Sequence, residues 1–185
     1  MTGHATADRI LADLATGVTA EVLAQTGPLA ERLARSQRIF CYGVGREGLM
    51  MKAIAMRLFH LGLDTHVIGD MTVPPIAAGD TLLISAGPGD FATVAALAST
   101  ARAQAATICC FTAQPGGPLP GLADLTITLP AQTMADDQTA PASILPMGSL
   151  YEALLFLFGE ALILDLRDRL GQSAETMRAR HTNLE

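Results

Sequence analysis

Two glycine-rich turns carry the chemistry that this sequence offers. The first, Gly43-Val44-Gly45-Arg46-Glu47-Gly48, follows the apolar run "RIFCYG"; the second, "SAGPGDF" from Ser85 to Phe91, follows "DTLLIS". A strand, a glycine turn and a helix in succession leave backbone NH groups free at the helix N-terminus, where an anion meets donors and the positive end of the helix dipole. Glu47 is out of keeping with that arrangement, because it places an acidic side chain where the anion would sit. The GxGxxG spacing of the first turn points to a dinucleotide only when an acidic ribose partner follows about 20 residues on. Asp64 and Asp70 are the candidates, and neither sits convincingly at the end of a strand. The plainer alternative for the glycines is a tight turn that lets helix and strand pack closely, with no ligand.

The titratable residues each have an ordinary role to set against a chemical one. Glu152 lies in the first turn of a long apolar helix, where Ser149 as N-cap and Glu152 three residues on make a capping box. His181 stands four residues from the chain end, a place where a histidine is ordinarily solvated, and His60 closes a helix where it reads as a packing residue. Arg46 on an open turn reads as a salt-bridge partner of Glu47 or Asp90. His4 and His66 have no supporting context. Cys41, Cys109 and Cys110 fall in apolar strand-like runs with no CxxC spacing, so they read as buried free thiols rather than disulfides or metal ligands, and point to a reducing, cytoplasmic setting.

Positioning these groups requires a particular set of elements. "RIFCYG" (38–43), "DTHVIG" (64–69), "DTLLIS" (80–85), "ATICCF" (106–111) and "DLTITL" (124–129) are short β-branched or apolar runs, most of them bounded by Gly, Asp or Pro, and read as five strands. Helical periodicity over 47–62 separates the first strand from the second, and over 91–103 the third from the fourth, as parallel crossovers require. The expected fold is a three-layer α/β/α sandwich around a five-stranded parallel sheet. Residues 1–36 carry apolar positions at helical spacing, with Gly27-Pro28 as the expected division between helices. Residues 37–130 form the core, 131–146 a polar surface loop, and 147–185 a long helix near 148–170, a short one near 173–180 and a tail, all within one domain.

Composition excludes several classes of partner. With 50% hydrophobic residues and only 16% charged ones across 185, the chain is either unusually well buried or partly covered by copies of itself. A net charge of -6 and a single lysine, Lys52, leave no basic patch for nucleic acid or an anionic membrane. The N-terminal "MTGHATADRI" lacks the charged and apolar segments of a signal peptide, and the apolar stretch 150–166 is interrupted by Glu152, Glu160 and Asp165, so no membrane span is expected.

In order from residue 40 onward, "GVGREG", "AMRLFHLG", "IGDMTVPPI", "SILPMGSLYEALLF" and "RHTNLE" resemble the sugar isomerase (SIS) domain, and more narrowly the 6-phospho-3-hexuloisomerases. The resemblance implies an SIS fold, a cytoplasmic homotetramer built as a dimer of dimers, and isomerisation of a 3-keto sugar phosphate to its 2-keto isomer through an enediolate, without metal or organic cofactor. It implies that Glu152 is the base, that His181 and His60 assist proton transfer, with the C-terminal segment reaching a neighbour's site, and that Arg46 meets a phosphate or sugar oxygen. The two turns would hold the substrate through Gly45, Arg46, Glu47, Gly48, Ser85, Gly87, Gly89 and Asp90.

This sequence departs from the family where the phosphate is held. Gly-Arg-Ser-Gly becomes Gly45-Arg46-Glu47-Gly48, and Ser-Gly-Ser-Gly-Glu-Thr becomes Ala86-Gly87-Pro88-Gly89-Asp90-Phe91. Every matching hydroxyl is gone, Ser85 falls one position early, and Pro88 also removes a backbone donor. Each hydrogen bond lost to a charged group costs about 1.5–3 kcal/mol. One account is a substrate with another terminus, donating hydrogen bonds to Glu47 and Asp90. A second is a phosphosugar held by Arg46 and Lys52. A third, from a different class, is a non-catalytic sugar- or sugar-phosphate-binding regulatory module.

Overall fold

The computed structural model describes residues 3–138 and 143–184; part of the 131–146 loop and the last residue of "RHTNLE" lie outside the described residues. Three helices open the chain: α1 (Gly3–Gly17), α2 (Ala20–Ala24) and α3 (Thr26–Ala34). The helices divide at Gln25, two residues before the expected Gly27-Pro28, and Thr19 starts α2 by accepting from the Val22 NH. Gly27 and Pro28 instead fall in the first turn of α3, where a missing proline NH leaves no helical bond unmade. Gln25 spans back to the sheet, its side chain bonding both the NH and the carbonyl of Thr128.

The core alternates as expected: β1 (Ile39–Tyr42), α4 (Gly45–His60), β2 (Thr65–Val67), β3 (Thr81–Ser85), α5 (Ala92–Ala103), β4 (Thr107–Thr112) and β5 (Leu125–Thr128). All neighbouring strands run parallel in the order β2-β1-β3-β4-β5. Side-chain alternation along each strand feeds two separate cores. Ile39, Cys41, Leu83, Cys109, Phe111 and Ile127 pack with α3, α4 and α6 (Ser149–Arg169). Phe40, Leu82, Ile84, Ile108 and Cys110 pack with α5 on the other face. The three cysteines are buried free thiols, each pushed up to about 12 by burial.

Helices α4 and α6 lie side by side and run the same way, because their contacts advance together: Arg46 meets Glu152, Ile54 meets Gly159 and Arg57 approaches Glu160. A short α7 (Ala174–Arg178) then turns the tail back toward the end of α4. The loop before α6 is not the simple surface loop that its polarity suggests. Gln132, Thr133 and Ser143 are buried. They are paired: Gln132 Nε2 donates to the Met147 carbonyl, Thr133 Oγ1 to Asp136, and Ser143 Oγ to Asp13. Asp13 also accepts from Arg9 and from the Ile144 NH; these bonds, Ser143 first, hold its carboxyl below the usual carboxylate range. Among the described residues no helix is long and apolar enough to cross a membrane.

Candidate active site

The strand order reverses between β1 and β3: the chain leaves β1 through α4 toward β2, and leaves β3 through α5 toward β4. The carboxyl ends of these two strands therefore open a crevice, the usual ligand position in an open parallel sheet. Both glycine turns border it, and so does the start of α6.

Successive residues of the first α4 turn point about 100° apart, and Arg46 and Glu47 use that difference to reach opposite partners. Arg46 is exposed and its Nε donates to Glu152 Oε2 at 2.5 Å, so its partner is neither Glu47 nor Asp90, as its position in sequence suggested. Glu47 turns inward and is 7% exposed. Its Oε2 accepts from Ser85 Oγ at 2.6 Å and from the Gly87 NH at 3.0 Å. Ser85 has one proton, committed to Glu47, so the Tyr151 hydroxyl 3.0 Å away donates to Ser85 Oγ. The result is a buried relay, Tyr151 to Ser85 to Glu47.

Burial pushes the Glu47 carboxyl up, the two hydrogen bonds pull it back, and the neighbouring Glu152 charge adds to the rise. Burial, with the Glu47 charge second, holds the Tyr151 phenol well above its ordinary value. Glycine is required at 87 because a Cβ there would lie 2.9 Å from both Glu47 Oε1 and the Tyr151 ring. Of the other second-turn residues, Gly89 is buried with its NH bonded to the Ala86 carbonyl, while Asp90 is exposed at the mouth. Phe91 is the N-cap of α5 and makes no side-chain cap bond.

Glu152 is not part of a capping box. Gly148 is the N-cap of α6, Ser149 is its first helical residue, and the Glu152 NH bonds the Gly148 carbonyl. Its side chain is 13% exposed, held at the crevice by Arg46. Met147, just before the cap, has φ +56°, a left-handed conformation unusual for a residue with a side chain, and Gln132 fixes its carbonyl.

The histidines lie elsewhere. His60 ends α4, which is 16 residues long, so it stands about 22 Å along the axis from the first turn. His181 joins it there, with ring centroids 5.3 Å apart, and Arg180 Nη1 donates to the His60 carbonyl at 2.9 Å. His60 is buried and His181 exposed. Within one chain, Arg46, Glu47, Ser85, Gly87 and Glu152 come together, and His60 and His181 come together at the other end. Of the two candidate ribose partners, Asp64 precedes β2 rather than following it, and Asp70 lies three residues beyond its end. Tyr151 is the participant that residue patterns did not single out; its neighbour Glu152 drew attention, and an aromatic in an apolar helix reads as core.

A model of the SIS domain matches residues 32–157. The chain is 41% identical over 175 residues to a 3-hexulose-6-phosphate isomerase of Mycobacterium gastri, covering 95% of this chain and 86% of that one. It is 38% identical over 157 residues to a 3-hexulose-6-phosphate isomerase of Bacillus subtilis, covering 85% of each. A crystal structure of a Methanococcus jannaschii protein, described as inferring a molecular function of 3-hexulose-6-phosphate isomerase, superposes with a TM-score of 0.80 at 27% identity over 97% of both chains.

Proposed function

The chain belongs to the SIS domain family, and on that premise we propose that it isomerises a keto sugar, with Glu152 as the base. In the reaction, Glu152 takes the proton from C2 of a 3-ketose and the electrons form an enediolate across C2 and C3. The hydroxyl proton passes from O2 to O3, and C3 recovers the carbon-bound proton, leaving a 2-ketose. C2 is oxidised as C3 is reduced, so no external redox partner is needed. The observation that carries this reading is the Glu152 carboxylate, paired with Arg46 of the first glycine turn at the crevice. Arg46 offers five N–H donors in a rigid fork, so it can hold Glu152 at rest and meet developing charge on O2 or O3 during turnover.

His60 and His181 enter the same reaction from a second copy of the chain. Two features support a multi-copy assembly, a cytoplasmic tetramer in our reading. One is the 22 Å scale of their separation from the crevice within a chain, set by the 16 residues of α4. The other is an uncovered apolar face: Leu49, Met56 and Phe59 recur on one side of α4, and Phe156, Leu157 and Leu164 on α6. The terminus of the substrate differs from a 6-phosphate, since the hydroxyls that would cradle it are absent from both turns.

Exchange of substrate carbon-bound protons with deuterated water, measured on 3-hexulose and on 3-hexulose 6-phosphate, tests the assignment. Glu152→Gln is expected to lower exchange by about 10³-fold, the usual scale for a general base. Exchange that survives the substitution removes Glu152 as the base. Binding of either sugar without exchange assigns the chain to the non-catalytic regulatory class.

A further inference from the structure

We propose that the Glu47 carboxylate is a built-in occupant of the anion position in the second glycine turn, so that this chain selects a ketose whose far end is a neutral hydroxyl over one that ends in phosphate. The inference rests on the isomerase reading for the word ketose, and on the geometry of Glu47 alone for the exclusion of phosphate.

Of the donors around the second glycine turn, those of Ser85, Gly87 and Gly89 are already spent here. Ser85 Oγ and the Gly87 NH both bond Glu47 Oε2, at 2.6 and 3.0 Å. The Gly89 NH bonds the Ala86 carbonyl, and position 88 is a proline with no NH. Glu47 is also fixed in place. It belongs to the first turn of α4, where the helix dipole favours a carboxylate, and it is buried against Gly87. A phosphate entering the turn would meet the Glu47 carboxylate at Ser85 and Gly87, with Glu152 and exposed Asp90 adding negative charge nearby. Arg46, the cation on this turn, turns its Nε to Glu152 rather than into the second turn. A sugar hydroxyl meets a different environment. A carboxylate has about four lone-pair sites, and Ser85 and Gly87 use one oxygen, so Oε1, which lies over Gly87, can accept from a terminal hydroxyl.

The test pairs turnover with binding. Wild-type protein, Glu47→Ser and Glu47→Gln are assayed with 3-hexulose and 3-hexulose 6-phosphate, and melted in increasing inorganic phosphate. Wild type is expected to favour free 3-hexulose in kcat/KM and to show no phosphate-dependent rise in Tm. Glu47→Ser frees the Gly87 NH and supplies a hydroxyl, and is expected to shift the kcat/KM ratio toward the phosphorylated sugar by about 10- to 100-fold, with a phosphate-dependent rise in Tm. Glu47→Gln keeps the side chain's size and one acceptor oxygen for Ser85 and Gly87 but not its charge, and is expected to shift the ratio severalfold; it decides the matter if the serine variant does not fold. A wild-type protein stabilised by phosphate at submillimolar concentration, or an unchanged ratio in both variants, overturns the proposal. The two readings fail separately. Phosphate behaviour as expected without turnover of either sugar sinks the isomerase alone, while Glu152-dependent turnover with an unchanged ratio sinks the Glu47 proposal alone.

Discussion

The two ends of α4 are finished in opposite ways. At the start of the helix, Arg46 and Glu47 are drawn into contacts with α6 and β3, and Glu152, Ser85, Gly87 and Tyr151 complete a cluster from a single chain. At its end, His60 is buried but its companion His181 sits on an exposed tail, held by the bonds that Arg180 makes to the His60 carbonyl and Gln172. The first end is closed by pairs made within one chain. The second brings two imidazoles together about 22 Å along α4 from the crevice. The contrast teaches that an element can complete a site at one end and supply part of another site at the other, provided that copies of the chain meet across the uncovered faces of α4 and α6.

The largest effect that could break this comparison comes from mixing inactive variants. Glu152→Gln and His181→Ala are each expected to be strongly impaired as pure assemblies. If the carboxylate of one copy works with the histidine of another, subunit exchange between them restores some intact sites, up to about a quarter of wild-type activity in a statistical mixture of two-fold pairs. Activity of the mixture equal to the sum of its parts would mean that the two ends of α4 do not share a site.

Much of this architecture was legible in the sequence, and what was missed has a common physical form. The β-branched runs and helical periodicity located every strand and the long helix, which was expected near 148–170 and found at Ser149–Arg169. Those patterns are local, and so is the information that they carry. The direction taken by Glu47 depends on a serine 38 positions away, and on Tyr151, whose hydroxyl has no signature within an apolar helix. The 131–146 segment was expected at the surface because it is polar. Gln132, Thr133 and Ser143 are nonetheless buried, since each finds a hydrogen-bond partner that pattern reading does not supply. Glu152 is the instructive middle case: residue patterns gave a helix cap, the family resemblance gave a base, and the coordinates put it at the crevice without a capping box.

Arg46 sharpens the account of the closed end. An arginine that only anchors Glu152 and one that also meets the enediolate differ in what lysine can replace. Arg46→Ala is expected to lower kcat/KM by about 10²- to 10³-fold, the range for removing a donor from developing negative charge. Arg46→Lys retains a point charge but not the fork, so it is expected to recover KM more fully than kcat. Equal recovery of both would assign Arg46 to ground-state binding alone.

The smallest effects concern a glycine at each end. A Cβ at Gly87 would press on Glu47 Oε1 and the Tyr151 ring at 2.9 Å, and both are buried, so neither yields without disturbing the core. Gly87→Ala is expected to destabilise by about 1–3 kcal/mol, as overpacking does. A Cβ at Gly62 would lie 2.9 Å from Arg180 Nη2, the far end of a flexible side chain, but Gly62 has φ +89°. Gly62→Ala therefore meets little packing resistance and mainly backbone strain, about 1 kcal/mol. At 2–4 °C per kcal/mol for a chain of this size, the two variants are resolvable by Tm when protomer concentration is held fixed. Equal losses would show that the tail around Arg180 and His181 is packed as firmly as the Glu47 cluster, and the contrast between the ends would then be one of charge rather than of rigidity.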